Sequence, residues 1–78
     1  MSSRVIELFA EVLAVEPSSI TDDTSPDNTP QWDSLAAMNL VSAIEDTFEV
    51  ELSTRDIMAM RSVALVRQVL RAKGVADA

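Results

Sequence analysis

Apolar residues recur near the start of the chain at Val5, Leu8, Phe9, Val12 and Leu13, with Glu7 and Glu11 opposite them. Steps of three and four place this set on one stripe of a helix. The pattern predicts a helix of about three turns, capped by Ser2 or Ser3. Its expected stop is near Val15, because Pro17 biases Glu16 away from helical angles. A second set, Ala37, Leu40, Val41, Ile44 and Phe48, shares the core face of a helix predicted from about Ser34 to Phe48. Leu35, Met38 and Ser42 then fall on the other side, near Asn39, Glu45 and Asp46. Residues 49–52 read as an extended crossing. Ser53, with Asp56 three residues on, opens a short helix to about Met60 with a box-like cap. Ser62 caps a last helix carrying Val63, Val66, Val69 and Leu70. Arg67, Arg71 and Lys73 lie toward its negative end, and Gly74 stops it in a left-handed conformation. Ala76 to Ala78 are expected to fray. No strand alternation and no internal repeat is present. The expected fold is all-α: a small antiparallel four-helix bundle, three longer helices and one short one, forming a single domain over 1–78.

Between the first two helices lies a long connection, Glu16 to Asp33, rich in Ser, Thr, Asp and Pro. Helix-to-helix connections ordinarily run ~2–8 residues, so this one is either disordered or an ordered loop with a task. Ile20 is its one aliphatic residue and a candidate anchor to the core. The acid-rich part, 22–28, invites a calcium reading but fails the EF-hand pattern in both acid-led registers. Starting at Asp23, Asn28 stands where Gly belongs and Ser34 where a bidentate Glu belongs. Starting at Asp22, Pro26 fills a ligand position and Asp27 replaces the Gly.

Composition narrows the function classes. A chain of 78 residues has room for one modest core. It has no Cys, hence no disulfide and no thiolate metal site, which fits a reducing compartment. No stretch approaches the ~20 apolar residues of a membrane span, and the N-terminal residues lack a signal-peptide core. A soluble, cytoplasmic protein is expected. With no His and no Cys, the chain has no side chain that titrates near neutrality unperturbed, so self-sufficient catalysis is not expected.

Thirteen acids against six bases give a net charge of −7. That balance repels nucleic acid and anionic lipid and attracts basic protein surfaces. The charges are also segregated: eleven acids and no base lie between Val5 and Thr54, then five bases and one acid from Arg55 to Lys73. Segregation favours a docking face over a uniform solubilising shell.

The chemistry concentrates at Pro30-Gln31-Trp32-Asp33-Ser34-Leu35-Ala36-Ala37-Met38, where the polar segment meets the second helix. Asp33 or Ser34 is placed to cap that helix. Leu35 and Met38 are apolar residues on its outward side, beside Ser34, and read as a contact surface. Trp32 has two readings, a plug that holds the loop to the core or part of the partner-facing surface.

Asp33-Ser34-Leu35, opening the second helix after a long loop in an acidic helical chain of this length, resembles the attachment site of acyl carrier proteins. The phrase "ALEEEFGV", common in that family, has a close counterpart in residues 43–50. The similarity covers nearly the whole chain, roughly Val5 to Val69. A bare Asp-Ser-Leu arises by chance on the order of a few per cent of the time in such a chain, so the surrounding features carry the resemblance. It implies a 4′-phosphopantetheine group, taken from coenzyme A and attached to Ser34 by a separate phosphopantetheinyl transferase that supplies Mg²⁺ and the base. It implies that Asp33 orients the site or meets a basic residue of the transferase. Leu35, Met38 and Ser42 would then contact partners, and Glu45, Asp46 and Glu49 would steer them. Those partners are an acyl-loading enzyme and a downstream synthase or transferase with a basic docking surface. A monomer is expected, with no nucleic-acid or membrane partner and no metal.

Two departures shift the reading within the family. The family often has a glycine two residues before the Asp, where this chain has Gln31. Fatty-acid-type carriers bear acids early in the second helix, where this chain has Ala36 and Asn39. The chain therefore looks more like a freestanding carrier of a specialised pathway, such as polyketide starter or extender supply. Trp-Asp-Ser-Leu also occurs in freestanding carriers of aminoacyl or hydroxyacyl units, so an aminoacyl or peptidyl carrier is the alternative. An unmodified acidic interaction module is the reading outside the family.

Overall fold

The computed structural model describes residues 4–76 and 78. Among them are four α-helices and no strand: α1 (Arg4–Leu13), α2 (Ser34–Phe48), α3 (Thr54–Ala59) and α4 (Val63–Ala72), with a 3₁₀ turn at Pro17–Ser19. The all-helical expectation and the short third helix are both found. The expected Ser2 or Ser3 cap lies outside the described residues.

α1 and α2 run antiparallel. The guanidinium carbon of Arg4, at the start of α1, sits 4.6 Å from the ring centroid of Phe48, at the end of α2. At the other end, Trp32 immediately before α2 meets Phe9 edge to face, with ring centroids 5.2 Å apart and planes at 66°. That geometry suits two aromatic quadrupoles and adds to the burial of both rings. The core is filled by Val5, Leu8, Phe9 and Leu13 from α1, Leu40, Ile44 and Phe48 from α2, and Val63, Val66 and Leu70 from α4.

Two expectations need correction. α1 ends at Leu13 rather than near Val15, and the cause is not Pro17. Ala14 adopts a left-handed conformation (φ 56°), and the Val15 amide donates to the Ala10 carbonyl at 3.0 Å. The Ala14 amide reaches Glu11 O, so the helix is closed by a Schellman motif before the proline acts. In α2 the buried face extends to Ala36 and is turned by less than half a residue from the expected one. Ala36, Leu40, Ile44 and Phe48 are buried, whereas Ala37 and Val41 are only half-buried. Ala37 and Val41 pack against the core as expected, but from its edge, where they line a cleft with Ile57 of the six-residue α3.

α3 and α4 follow their predicted caps. Ser53 Oγ accepts from Asp56 N (3.1 Å) and Asp56 Oδ2 accepts from Ser53 N (2.9 Å), a complete capping box. Ser62 Oγ accepts from Leu65 N at 3.2 Å. Gly74 (φ 92°) is left-handed, with the Val75 amide on Leu70 O and the Gly74 amide on Arg71 O. The expected fraying at the end is contradicted at Ala78, which is buried, with its carbonyl accepting from Arg71 Nε at 2.8 Å. Arg71 thus serves the chain that follows the helix.

The long connection is an ordered loop. Ile20 and Trp32 are buried as its apolar anchors, and Thr24 is its buried polar one. Thr24 Oγ1 accepts from Thr21 N (2.9 Å), and Asn28 cross-links the turn by donating to Asp23 O (2.8 Å) and accepting from Ser25 N (3.0 Å). Two loop carbonyls, Thr24 O and Asp22 O, accept from Val63 N and Ala64 N at 2.9 and 3.1 Å. With Ser62 they satisfy the first three amides of α4, groups that no helix satisfies internally. The loop's length is what lets it cross to α4 and return to α2.

Candidate functional site

Asp33 has extended backbone angles, and its Oδ1 accepts from Ala36 N at 2.9 Å while its carbonyl accepts from Ala37 N. Asp33 is therefore the cap of α2, and Ser34 is the first helical residue. Of the two capping assignments open in the sequence, the geometry selects Asp33. Its carboxylate is engaged with the chain itself, and the adjacent Ser34 is left exposed. No described residue hydrogen-bonds the Ser34 hydroxyl. An exposed primary hydroxyl in the first turn of a fifteen-residue helix, where aligned peptide dipoles favour negative charge, suits a phosphodiester. The residues present fit such a group.

Around Ser34 the structure brings together most of the residues singled out in the sequence. Leu35 and Met38 are 68% and 69% exposed, and Ser42 continues the same outward face. Trp32 is resolved in favour of the plug: it is 5% exposed and meets Phe9 edge to face. The Trp32 amide donates to Thr29 O at 2.9 Å, which closes the turn leading into Asp33. The site is thus set on the core by an aromatic ring two residues before the serine.

The acids are less uniform than their sequence suggested. Glu45 is half-buried, and its Oε2 accepts from Leu52 N at 2.9 Å, tying the α2–α3 crossing to α2. Asp46 is exposed but faces the α1 side, in a groove with Arg4, Glu7 and Glu11. Glu49 is exposed and left-handed at the end of α2. A concavity of about 590 Å³ at residues 49–53 and Lys73 lies at that same far end of α2. It stands roughly 20 Å along the helix from Ser34, by rise per residue.

Sequence reasoning placed α3 and its cap but gave its side chains no part in the site. Ile57 and Met58 are 40% and 71% exposed, and Ile57 lines a cleft with Met38 and Val41 of α2. The signal available was a short helix with more apolar residues, Ile57, Met58, Ala59 and Met60, than a single face of six residues can bury.

Asp56 sits where its charged form is favoured. Its carboxyl is lowered from 3.8 to about 2, first by the hydrogen bond from Lys73 and then by the Ser53 amide. Lys73 Nζ lies 2.8 Å from Asp56 Oδ2, joining the start of α3 to the end of α4. This pair supports the scaffold. It does not touch Ser34.

Comparison with known proteins bears on this geometry. The family described as "Phosphopantetheine attachment site" matches residues 3–70. An acyl carrier protein from Syntrophus aciditrophicus (strain SB) is 31% identical over 75 residues, covering 96% of this chain and 94% of the relative. An acyl carrier protein from Syntrophobacter fumaroxidans is 30% identical over 63 residues, covering 81% of this chain and 78% of the relative. A carrier has to offer an attachment group and a helical frame, with the chemistry done by others, and membership implies covalent 4′-phosphopantetheine, a phosphopantetheinyl transferase and biosynthetic enzymes as partners. The chain belongs to the acyl carrier protein family and is a carrier, not an enzyme.

Proposed function

We propose that Ser34 is the attachment residue, and that residues 1–78 act as one carrier domain holding an acyl intermediate or building block for a specialised, polyketide-type pathway. The observation that supports this most is the exposed Ser34 hydroxyl at the first turn of α2, beside the exposed Leu35 and Met38. In the attachment step, Ser34 Oγ forms a bond to the pantetheine-side phosphorus of coenzyme A. The bond from that phosphorus to the bridging oxygen breaks, and adenosine 3′,5′-bisphosphate leaves. The hydroxyl proton passes to a base of the transferase. The group supplies a terminal thiol for thioester formation, which this cysteine-free chain cannot provide. Asp33 caps the first turn of α2 and leaves the adjacent Ser34 exposed.

Leu35, Met38 and Ser42 form the docking rim, and Asp46 and Glu49 add long-range attraction for a basic partner. Glu45, bonded to the Leu52 amide, contributes its charge from a fixed position. The specialised-pathway reading is supported by the absence of charge from Ser34 to Ile44 along α2. Of the two positions that suggested it, Ala36 is buried, so Asn39 presents the departure at the surface. We place the protein in the cytoplasm as a monomer; among the described residues no helix is long and apolar enough to cross a membrane.

Incubation with coenzyme A, Mg²⁺ and a broad-specificity transferase should add one phosphopantetheine to the intact mass, and none to Ser34→Ala. Addition that survives Ser34→Ala would move the site, and no addition to the unaltered protein would remove the assignment.

A further inference from the structure

The connection between α1 and α2 encloses a pocket of about 230 Å³ that no residue of α3 lines. Val15, Ile20 and Pro30 give it apolar walls, and Ser19, Thr29 and Gln31 give it neutral polar ones. Most polar groups there are committed. Thr24 Oγ1 accepts from Thr21 N, the Thr29 hydroxyl donates to Asn28 Oδ1, and the Ser19 hydroxyl donates to Glu16 O. Gln31 differs: it is exposed, and no described residue hydrogen-bonds its carboxamide or its backbone N–H. It also stands where the resemblance leads one to expect glycine, a residue with no carboxamide to offer. The pocket is preformed, because Ile20 is buried and Asn28 cross-links the turn, so little ordering of the loop opposes binding.

Carbon walls with a free carboxamide at the rim suit a neutral amide flanked by methylenes. The methylenes leave water, and the amide exchanges hydrogen bonds with a group of its own kind. Asp23 and Asp27, exposed on the same loop, set a field that disfavours an anion there. The volume is that of about seven or eight water-sized groups. Beyond its phosphate, the 4′-phosphopantetheine arm is a neutral chain carrying secondary amides between short methylene runs. Gln31 lies three residues before Ser34, so their Cα atoms are at most about 11 Å apart, within reach of such an arm.

We infer that this loop pocket is the resting site of the arm, and that Gln31 is the residue that binds it, through an arm amide. The inference rests on Ser34 being the attachment site. The arm then lies on the loop side of Ser34 between encounters with partners, with its methylenes toward Val15.

The test compares the protein with and without phosphopantetheine, and the variants Gln31→Gly and Gln31→Leu bearing the same group. Glycine removes the side chain, and leucine keeps its bulk without the carboxamide. In the unaltered protein, nuclear Overhauser contacts should join the arm methylenes to the half-buried Val15 methyls. In both variants the bound-to-free ratio of the arm, read from the Val15 methyl shift on attachment, should fall about fivefold, as for one lost hydrogen bond. The Phe9–Trp32 contact should persist in both, since Gln31 is exposed. Arm contacts confined to Met38, Val41 and Ile57 would overturn the inference. So would Val15 contacts that keep their strength in both variants. Failure to gain phosphopantetheine mass is a separate result, which overturns the attachment at Ser34 and this inference with it.

Discussion

Asp33 and Ser34 are neighbours with different physical tasks, and the difference is measurable. Because Asp33 Oδ1 accepts the Ala36 amide, Asp33→Ala should cost roughly 1 kcal/mol of stability, the usual loss for an N-cap. Ser34 is exposed and caps nothing, so Ser34→Ala should stay within about 0.5 kcal/mol while abolishing attachment. Urea titration of the two variants checks both. Equal losses would mean that the serine shares the cap. At Asp56 the argument concerns pH. Its folded pKa is depressed to about 2 by Lys73 and the Ser53 amide, below the ordinary 3.8. The unfolded chain therefore binds a proton first as pH falls. The contribution of the Asp56–Lys73 pair is complete above the ordinary carboxylate range and is lost as pH falls through about 2. Asp56→Asn should flatten the acid limb of a stability-versus-pH curve between pH 4 and 2, compared with the unaltered chain. An unchanged limb would show that the pair does not persist in solution.

At the scale of the elements, the helix ends explain more than the helix bodies. α1 and α2 both stop on left-handed residues that are not glycine, Ala14 (φ 56°) and Glu49 (φ 54°). Only α4 ends on the residue type that adopts this conformation without penalty, Gly74. Ala14 is exposed, and its amide and that of Val15 already make the closing hydrogen bonds. Ala14→Gly should therefore stabilise the protein by about 1 kcal/mol, read as a higher urea midpoint at unchanged slope. A loss of stability would mean that the alanine methyl is worth more than the relieved backbone. The positions of α2, α3 and α4 were legible beforehand because their caps are local: Asp33, Ser53 with Asp56, and Ser62 each act within three residues. The end of α1 was not, because Pro17 was a conspicuous breaker and nothing in the sequence distinguishes Ala14 from any other alanine. The rotation of the α2 face was illegible for a related reason. A single-helix pattern cannot say how deeply Ala36 and Ala37 are each buried, since that depends on where the other helices are placed.

For the molecule as a whole, the Cα radius of gyration is 11.2 Å, close to the ~11.5 Å of a compact chain of this length. Compactness is reached because the long loop is used as structure, with Ile20, Thr24 and Trp32 turned inward and the first amides of α4 bonded to its carbonyls. The charge distribution faces the other way, toward partners. α2 presents an uncharged surface over its first eleven residues, and its exposed acids, Asp46 and Glu49, stand near its far end. A fatty-acid synthase that seeks acids beside the attachment site should find this carrier a poor substitute. In a reconstituted synthase, turnover with the loaded protein should be at least about tenfold below that with the synthase's own carrier, equivalent to about 1.4 kcal/mol of lost complementarity. Comparable turnover would sink the specialised-pathway reading and leave the attachment at Ser34 intact.

What the amino-acid sequence determined by itself was whatever depends on neighbours in the chain. The helix periodicities, the caps, the Gly74 stop, the lack of His and Cys and the Asp-Ser-Leu resemblance all belong here. Each is decided by groups a few residues apart, or by composition, and needs no fold to be seen. Only the tertiary structure decided that Trp32 is a buried plug rather than a surface ring. The same holds for Glu45, committed to the Leu52 amide, for Asp22, whose carbonyl serves α4, and for the outward turn of Ile57 beside Met38. These outcomes depend on which surfaces meet across the bundle, and burial and hydrogen-bond partnership are properties of that meeting, not of the residue.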